Sequence, residues 1–125
     1  MASARDVALF VGSLRRESFS RRVAVALTTL APPTLALRLV DIGDIPFYNQ
    51  DLETGDPPPE WSGLRRRVRA ADAVLFGTPE DNRAVPAGRK NALDVASRPF
   101  GQSAWDGKPA GVVSVSPGAI GGFGA

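Results

Sequence analysis

The sequence predicts an open parallel α/β sheet with helices wound on both faces. Short unbroken apolar runs alternate with stretches of helical apolar spacing, in the order strand, helix, strand, helix, strand, helix, strand. The strand-like runs are apolar throughout instead of alternating in and out, the pattern of strands buried on both faces. Polar motifs follow three of these runs, at the strand carboxyl ends where ligands of such folds lie.

The elements follow in order. Val7-Ala8-Leu9-Phe10-Val11 is the first strand. From Ser18 onward the spacing is helical, with Phe19, Val23, Ala26, Leu27 and Leu30 on one face and Arg21, Arg22 and Thr29 away from it. Pro32-Pro33 stops that helix. Leu35–Val40 is the second strand, and residues 42–59 form a long irregular stretch rich in Pro, Gly and acidic residues. Residues 60–71 are amphipathic, with Trp61, Leu64, Val68 and Ala71 on one side and Arg65, Arg66, Arg67 and Arg69 mostly on the other, a solvated face. Ala73–Thr78 is the third strand, closed by Pro79. Pro86 suits the first turn of a third helix, which runs to about Ser97, carries Lys90 and Asp94 as an i,i+4 pair, and is stopped by Pro99. Residues 110–115 are the fourth strand, followed by Ser116-Pro117-Gly118 and a Gly-rich segment.

Composition bounds the function. The 125 residues predict a single domain, smaller than a complete three-layer α/β domain. The balance of 15 basic and 13 acidic residues, a formal charge of +2, gives no electrostatic footprint for nucleic acid. The chain has no Cys, hence no disulfide and no thiolate nucleophile or ligand, and no His, the commonest metal ligand and general base. No metal site is expected. No apolar run reaches the roughly 18 residues that a membrane span needs, and the N-terminus does not read as a signal peptide. A cytoplasmic protein without a membrane partner is the expectation.

The richest motif is Gly12-Ser13-Leu14-Arg15-Arg16-Glu17-Ser18-Phe19-Ser20, directly after the first strand. A strand that runs through Gly-Ser into a helix start gathers free backbone N–H groups at the positive end of the helix. The hydroxyls of Ser13, Ser18 and Ser20 and the Arg15 guanidinium add donors suited to a phosphate monoester. Ser18 also fits a simple N-cap with Arg15 solvated on a turn, and both readings stand. The motif lacks the Gly-Lys-Ser/Thr of a nucleotide P-loop and the further glycines of a dinucleotide fingerprint. Pro79-Glu80-Asp81-Asn82-Arg83 reads either as a reader of a planar heterocycle's edge or as a turn. Ser116-Pro117-Gly118 reads as a point of close ligand approach or as a plain loop.

Together, the Gly12 to Ser20 motif, Ile45-Pro46-Phe47-Tyr48-Asn49-Gln50-Asp51-Leu52-Glu53, Thr78-Pro79-Glu80-Asp81-Asn82, Lys90-Asn91-Ala92-Leu93-Asp94 and Ser116-Pro117-Gly118 resemble the NADPH-dependent FMN reductase family, which includes quinone, chromate and azo-dye reductases. The resemblance implies a flavodoxin-like three-layer α/β/α fold that binds FMN, as a homodimer or homotetramer. By that resemblance Ser13, Arg15, Ser18 and Ser20 hold the FMN phosphate. Glu80, Asn82 and Arg83 border the ring, and Ser116 and Gly118 lie on its far side. Gly12, Phe19, Pro79 and Asp81 complete the cofactor-binding set. NADPH or NADH is the electron donor and a quinone-like or other small molecule the acceptor. The flavin carries the hydride chemistry, so no acid–base side chain is required.

The sequence departs from the family pattern at several positions. Asp81 stands where the family has Tyr, Arg89 where it has a buried Leu, and Val95 where it has Trp, while Gly88 lies inside the third helix. The family pattern continues past the Gly-rich segment into a helix, a fifth strand and a last helix. The expectation is therefore four strands, with the fifth strand and last helix missing and the fourth strand at an exposed edge. Two further readings follow: a non-catalytic remnant that keeps the fold and at most binds flavin or phosphate, and a dimerisation module that pairs through the fourth strand.

Overall fold

In the computed structural model, residues 3–12, 15–16 and 18–125 are described. In chain order the elements are β1 (Arg5–Val11), α1 (Phe19–Leu30), β2 (Leu35–Val40), α2 (Gln50–Glu53), α3 (Pro59–Ala70), β3 (Ala73–Thr78), α4 (Ala87–Ala96) and β4 (Ala110–Ser114). The strands form one parallel sheet in the order β2-β1-β3-β4. β2 pairs on one side of β1 and β3 on the other, so the strand order switches between β1 and β3.

The unbroken apolar runs are explained by this placement. β1 and β3 are inner strands, and Ala8, Leu9 and Phe10 are fully buried. On one face, Leu9 and Val11 pack with Ala24 of α1, Leu37 and Leu75. On the other, Ala8, Phe10, Val74 and Phe76 meet Trp61, Leu64 and Val68 of α3 and Ala92, Val95 and Ala96 of α4. Trp105 stacks edge-on against Phe10, and its indole N–H donates to Leu93 O at 3.1 Å. The fold is thus a three-layer α/β/α arrangement, with β4 at a sheet edge as expected.

Several expectations need correction. The buried face of α1 is set by Ser20 and Ala24, whereas Phe19, Ala26 and Leu30 are exposed. Small residues let α1 sit close to the sheet: a Cβ on Gly77 would lie 3.7 Å from the Ser20 carbonyl oxygen. The irregular stretch contains the short helix α2, capped by Asn49, whose side chain accepts from Asp51 N at 3.0 Å. Arg65 does not lie on a wet face. It is buried between α2 and α4, with a two-point ion pair to Glu53 at 2.9 Å and an Nε–H bond to Val95 O. Arg67 is also engaged, forking onto Asp6 of β1 at 3.0 and 3.1 Å. Pro86 is the N-cap of α4 and precedes its first turn.

Candidate functional site

The site is built where β1, β3 and β4 end. Gly12 continues the sheet past β1, donating to Gly77 O at 2.7 Å. A Cβ there would meet Pro86 Cγ at 3.1 Å and Thr78 Oγ1 at 3.3 Å, so only glycine fits without displacing a neighbour. The close approach brings the start of α4 against the end of β1. On the other side, Val115 N donates to Thr78 O at 3.0 Å, extending the β3–β4 pairing to the cavity mouth.

α1 then starts beside the end of β3. Ser18 is its N-cap, in extended conformation, and its Oγ accepts from Arg21 N at 2.9 Å. The Ser18 carbonyl takes Arg22 N, which leaves the first-turn N–H groups of Phe19 and Ser20 without intrahelical acceptors. Ser20 is 1% exposed, and its Oγ has no hydrogen-bond partner among the described residues. A buried hydroxyl without a partner is costly and uncommon, so this atom points to a ligand that completes it. Here the hydroxyls separate in role: Ser18 caps the helix, while Ser20 is left over. Ser13 lies outside the described residues.

These groups line a cavity of about 370 Å³, whose walls include Arg15, Ser18, Phe19 and Ser20 from the α1 side, Pro79, Glu80 and Asp81 after β3, and Ser116 after β4. Its polarity is uneven. The positive end of α1 and Arg15 form one wall, and the two carboxylates stand on the wall formed after β3.

The remaining predicted residues sit beside this cavity. Asp81 and Ala84 exchange backbone hydrogen bonds of 3.0 Å, and the two residues between them, Asn82 and Arg83, have φ of 51° and 64°. This is a two-residue hairpin turn with left-handed central residues. Asn tolerates that conformation, whereas Arg in it costs about 1–2 kcal/mol. Asn82 and Arg83 are exposed at the tip. Arg83 and Gly118 line a second cavity of about 460 Å³, which shares Glu80 and Ser116 with the first.

The sequence assigned no site role to Pro86 or Val115, which are apolar and carry no chemical signal, whereas Pro117 lies on the segment read as a point of ligand approach and lines the cavity. Asn91 is a different case. Its Oδ1 accepts from Tyr48 N at 2.8 Å, and its Nδ2 donates to Ile45 O and Pro46 O at 3.2 and 3.1 Å. It fixes the 45–48 loop against α4, next to a cavity of about 380 Å³ lined by Ile42, Ile45, Phe47 and Gly88.

Comparison with known proteins agrees with this architecture. The sequence pattern of the family described as NADPH-dependent FMN reductase matches residues 5–125. A quinone reductase of Pseudomonas putida is 62% identical over 125 residues, a match that spans this whole chain and 67% of that protein. A 2-hydroxy-1,4-benzoquinone reductase from Burkholderia sp is 48% identical over 118 residues, covering 94% of this chain and 64% of its own length. Among solved structures, the flavoenzyme NAD(P)H:(acceptor) oxidoreductase FerB of Paracoccus denitrificans superimposes with a TM-score of 0.92 at 46% identity, over 98% of this chain and 66% of that one. The chain thus spans about two thirds of the length of these relatives. It carries the flavodoxin-like fold and belongs to the NADPH-dependent FMN reductase family.

Proposed function

We propose that the chain is the FMN-holding part of an NAD(P)H oxidoreductase that passes electrons to quinone-like or other small acceptors. The observation that carries this reading is the unpartnered Ser20 hydroxyl, buried in the wall of a cavity at the positive end of α1. The donor set fits a phosphate monoester: Arg15, Phe19 and Ser20 line the same cavity and bring a guanidinium, a hydroxyl and two first-turn N–H groups, none of them an acceptor-only group. When bound, FMN supplies the hydride and electron-transfer chemistry between the nicotinamide donor and the acceptor. The Pseudomonas and Burkholderia relatives are quinone reductases, which supports a quinone as acceptor.

In this reading the chain's own residues bind and orient. Ser20, the Phe19 and Ser20 N–H groups and Arg15 take the phosphate, with Ser18 holding the helix start in shape and Ser13 adding a further hydroxyl. Asp81 keeps a dianion off the wall after β3 by repulsion, and Glu80 borders the ring. Asn82, Arg83, Ser116 and Gly118 border the ring, and Gly12 and Pro79 shape the strand ends around it. The same reading carries a cytoplasmic setting and a homodimer or homotetramer, the latter checked by light scattering after size exclusion.

Titration with FMN, followed by flavin fluorescence, tests it. Arg15→Ala is expected to weaken binding by about 1.5–3 kcal/mol, the scale of a charged hydrogen bond. Ser20→Ala is expected to lose a similar amount while leaving the unfolding midpoint of the flavin-free protein undiminished, because that hydroxyl has no protein bond to lose. Dissociation constants unchanged in both variants would remove the phosphate assignment. FMN bound without NADPH oxidation in the presence of a quinone would favour the non-catalytic remnant.

A further inference from the structure

Residues 118–124 form a loop that walls the 460 Å³ cavity with little to hold it there. Its large apolar side chains do not anchor it: Ile120 is 73% and Phe123 86% exposed. Its hydrogen bonds among the described residues are mostly internal, Gly118 N to Ser116 Oγ and Gly121 N to Gly118 O. The exception is Gly124 N, which donates to Glu80 Oε2 at 2.8 Å. The Glu80 carboxylate is well sheltered, with a side chain 18% exposed.

The contact leaves little room for a side chain. A Cβ on Gly124 would lie 3.1 Å from Glu80 Oε1 and 3.2 Å from Oε2. Gly122, at φ +83°, approaches Ser114 so closely that a Cβ would fall 3.1 Å from the Ser114 Cβ. Gly122 and Gly124 therefore lay backbone directly against Ser114 at the end of β4 and Glu80 after β3. Glu80 stands between the two cavities and lines both.

We infer that Glu80 is a positioning residue: its carboxylate pins the 118–124 segment as the outer wall of the 460 Å³ cavity. The strap bond is one of hydrogen-bond acceptance, since the partner is a neutral amide, and Arg83 Nε stands 3.9 Å from Oε1 on an 85% exposed side chain. The consequence for cofactor retention rests on the function proposed above, whereas the strap itself does not.

Amide hydrogen exchange of the flavin-free chain decides it. Glu80→Ala is expected to speed exchange at residues 121–124 by about tenfold or more, while exchange in β1 and β3 stays unchanged. Glu80→Gln keeps a carbonyl acceptor and is expected to stay within about threefold of the parent. Gly124→Ala should loosen the segment in the parent background and add nothing in the Glu80→Ala background, where no carboxylate opposes the new methyl group. Unchanged exchange in Glu80→Ala, or a Glu80→Gln variant as loose as Glu80→Ala, would overturn the assignment. With FMN present, release should be several-fold faster from Glu80→Ala than from Glu80→Gln, and equal release would overturn the strap's role as a cavity wall. Failure of the parent chain to take up FMN would count against the proposed function, and the exchange result would still decide the strap.

Discussion

At the scale of single residues, Arg89 is the clearest conflict between local chemistry and burial. It is 7% exposed on α4, and its Nε and Nη1 have no hydrogen-bond partner among the described residues. Its guanidinium lies 4.7 Å from the centre of the Phe76 ring, a favourable but partial substitute for water. Burial away from water lowers its pKa from the ordinary guanidinium value. The sign follows directly: the fold favours the neutral form, so the penalty is present at every pH below the lowered folded value and lifts only in strongly alkaline solution. Arg89→Leu keeps an apolar contact with Phe76 and removes the unpaired charge. It is expected to raise stability by about 1–3 kcal/mol, equally across the neutral range. A urea midpoint that moves up with an unchanged slope checks this, and a midpoint that falls refutes it. Charge patterning alone would have placed Arg89 on a wet face, and only the resemblance, with Leu at that position, indicated burial.

At the scale of elements, the strands were readable because two-sided burial forces an unbroken apolar run, and the bounds of Leu35–Val40 and Ala73–Thr78 match residue for residue. The helices were readable in position but not in facing. Period gives an apolar arc, yet the residues that touch the sheet depend on how near the helix comes, and in α1 that distance is set by Ser20 and Ala24. The α2–α3–α4 side was hidden for a different reason. Arg65 is one of four arginines within five residues, and nothing local distinguishes the one that turns inward to Glu53 and Val95 O. Its guanidinium also packs 5.5 Å from the Trp61 ring centre. Arg65→Ala would leave the Glu53 carboxylate sheltered without its partner and the Val95 carbonyl unbonded. A loss of about 3–5 kcal/mol is expected, the cost of breaking a buried pair from one side. Arg66→Ala, exposed on the same helix, is expected to stay within about 0.5 kcal/mol and serves as the control. Equal midpoints for the two variants would mean that the pair does not join these elements.

At the scale of the whole molecule, the sheet order explains why three separate motifs meet at one cavity. Because β1 and β3 are neighbours while β2 and β4 flank them, the ends of β1, β3 and β4 converge, and polar segments far apart in sequence share one cavity. That convergence was legible from the alternation of elements alone. The division of labour among the serines was not, because it depends on where α1 begins relative to β3. The same order predicts how stability is distributed. Inner strands exchange their amides only when the whole sheet opens, whereas β2 and β4, each paired on one side and partly exposed, open locally. FMN at a free concentration of about 100 times its dissociation constant adds about 2.7 kcal/mol to global opening. Exchange in β1 and β3 should then slow by about a hundredfold, while that of β2 changes little, since its local opening need not release a ligand held at the ends of the inner strands. Uniform slowing across all four strands would mean that the sheet opens only as one unit. No slowing in β1 and β3 at saturating FMN would place the ligand outside the strand ends altogether.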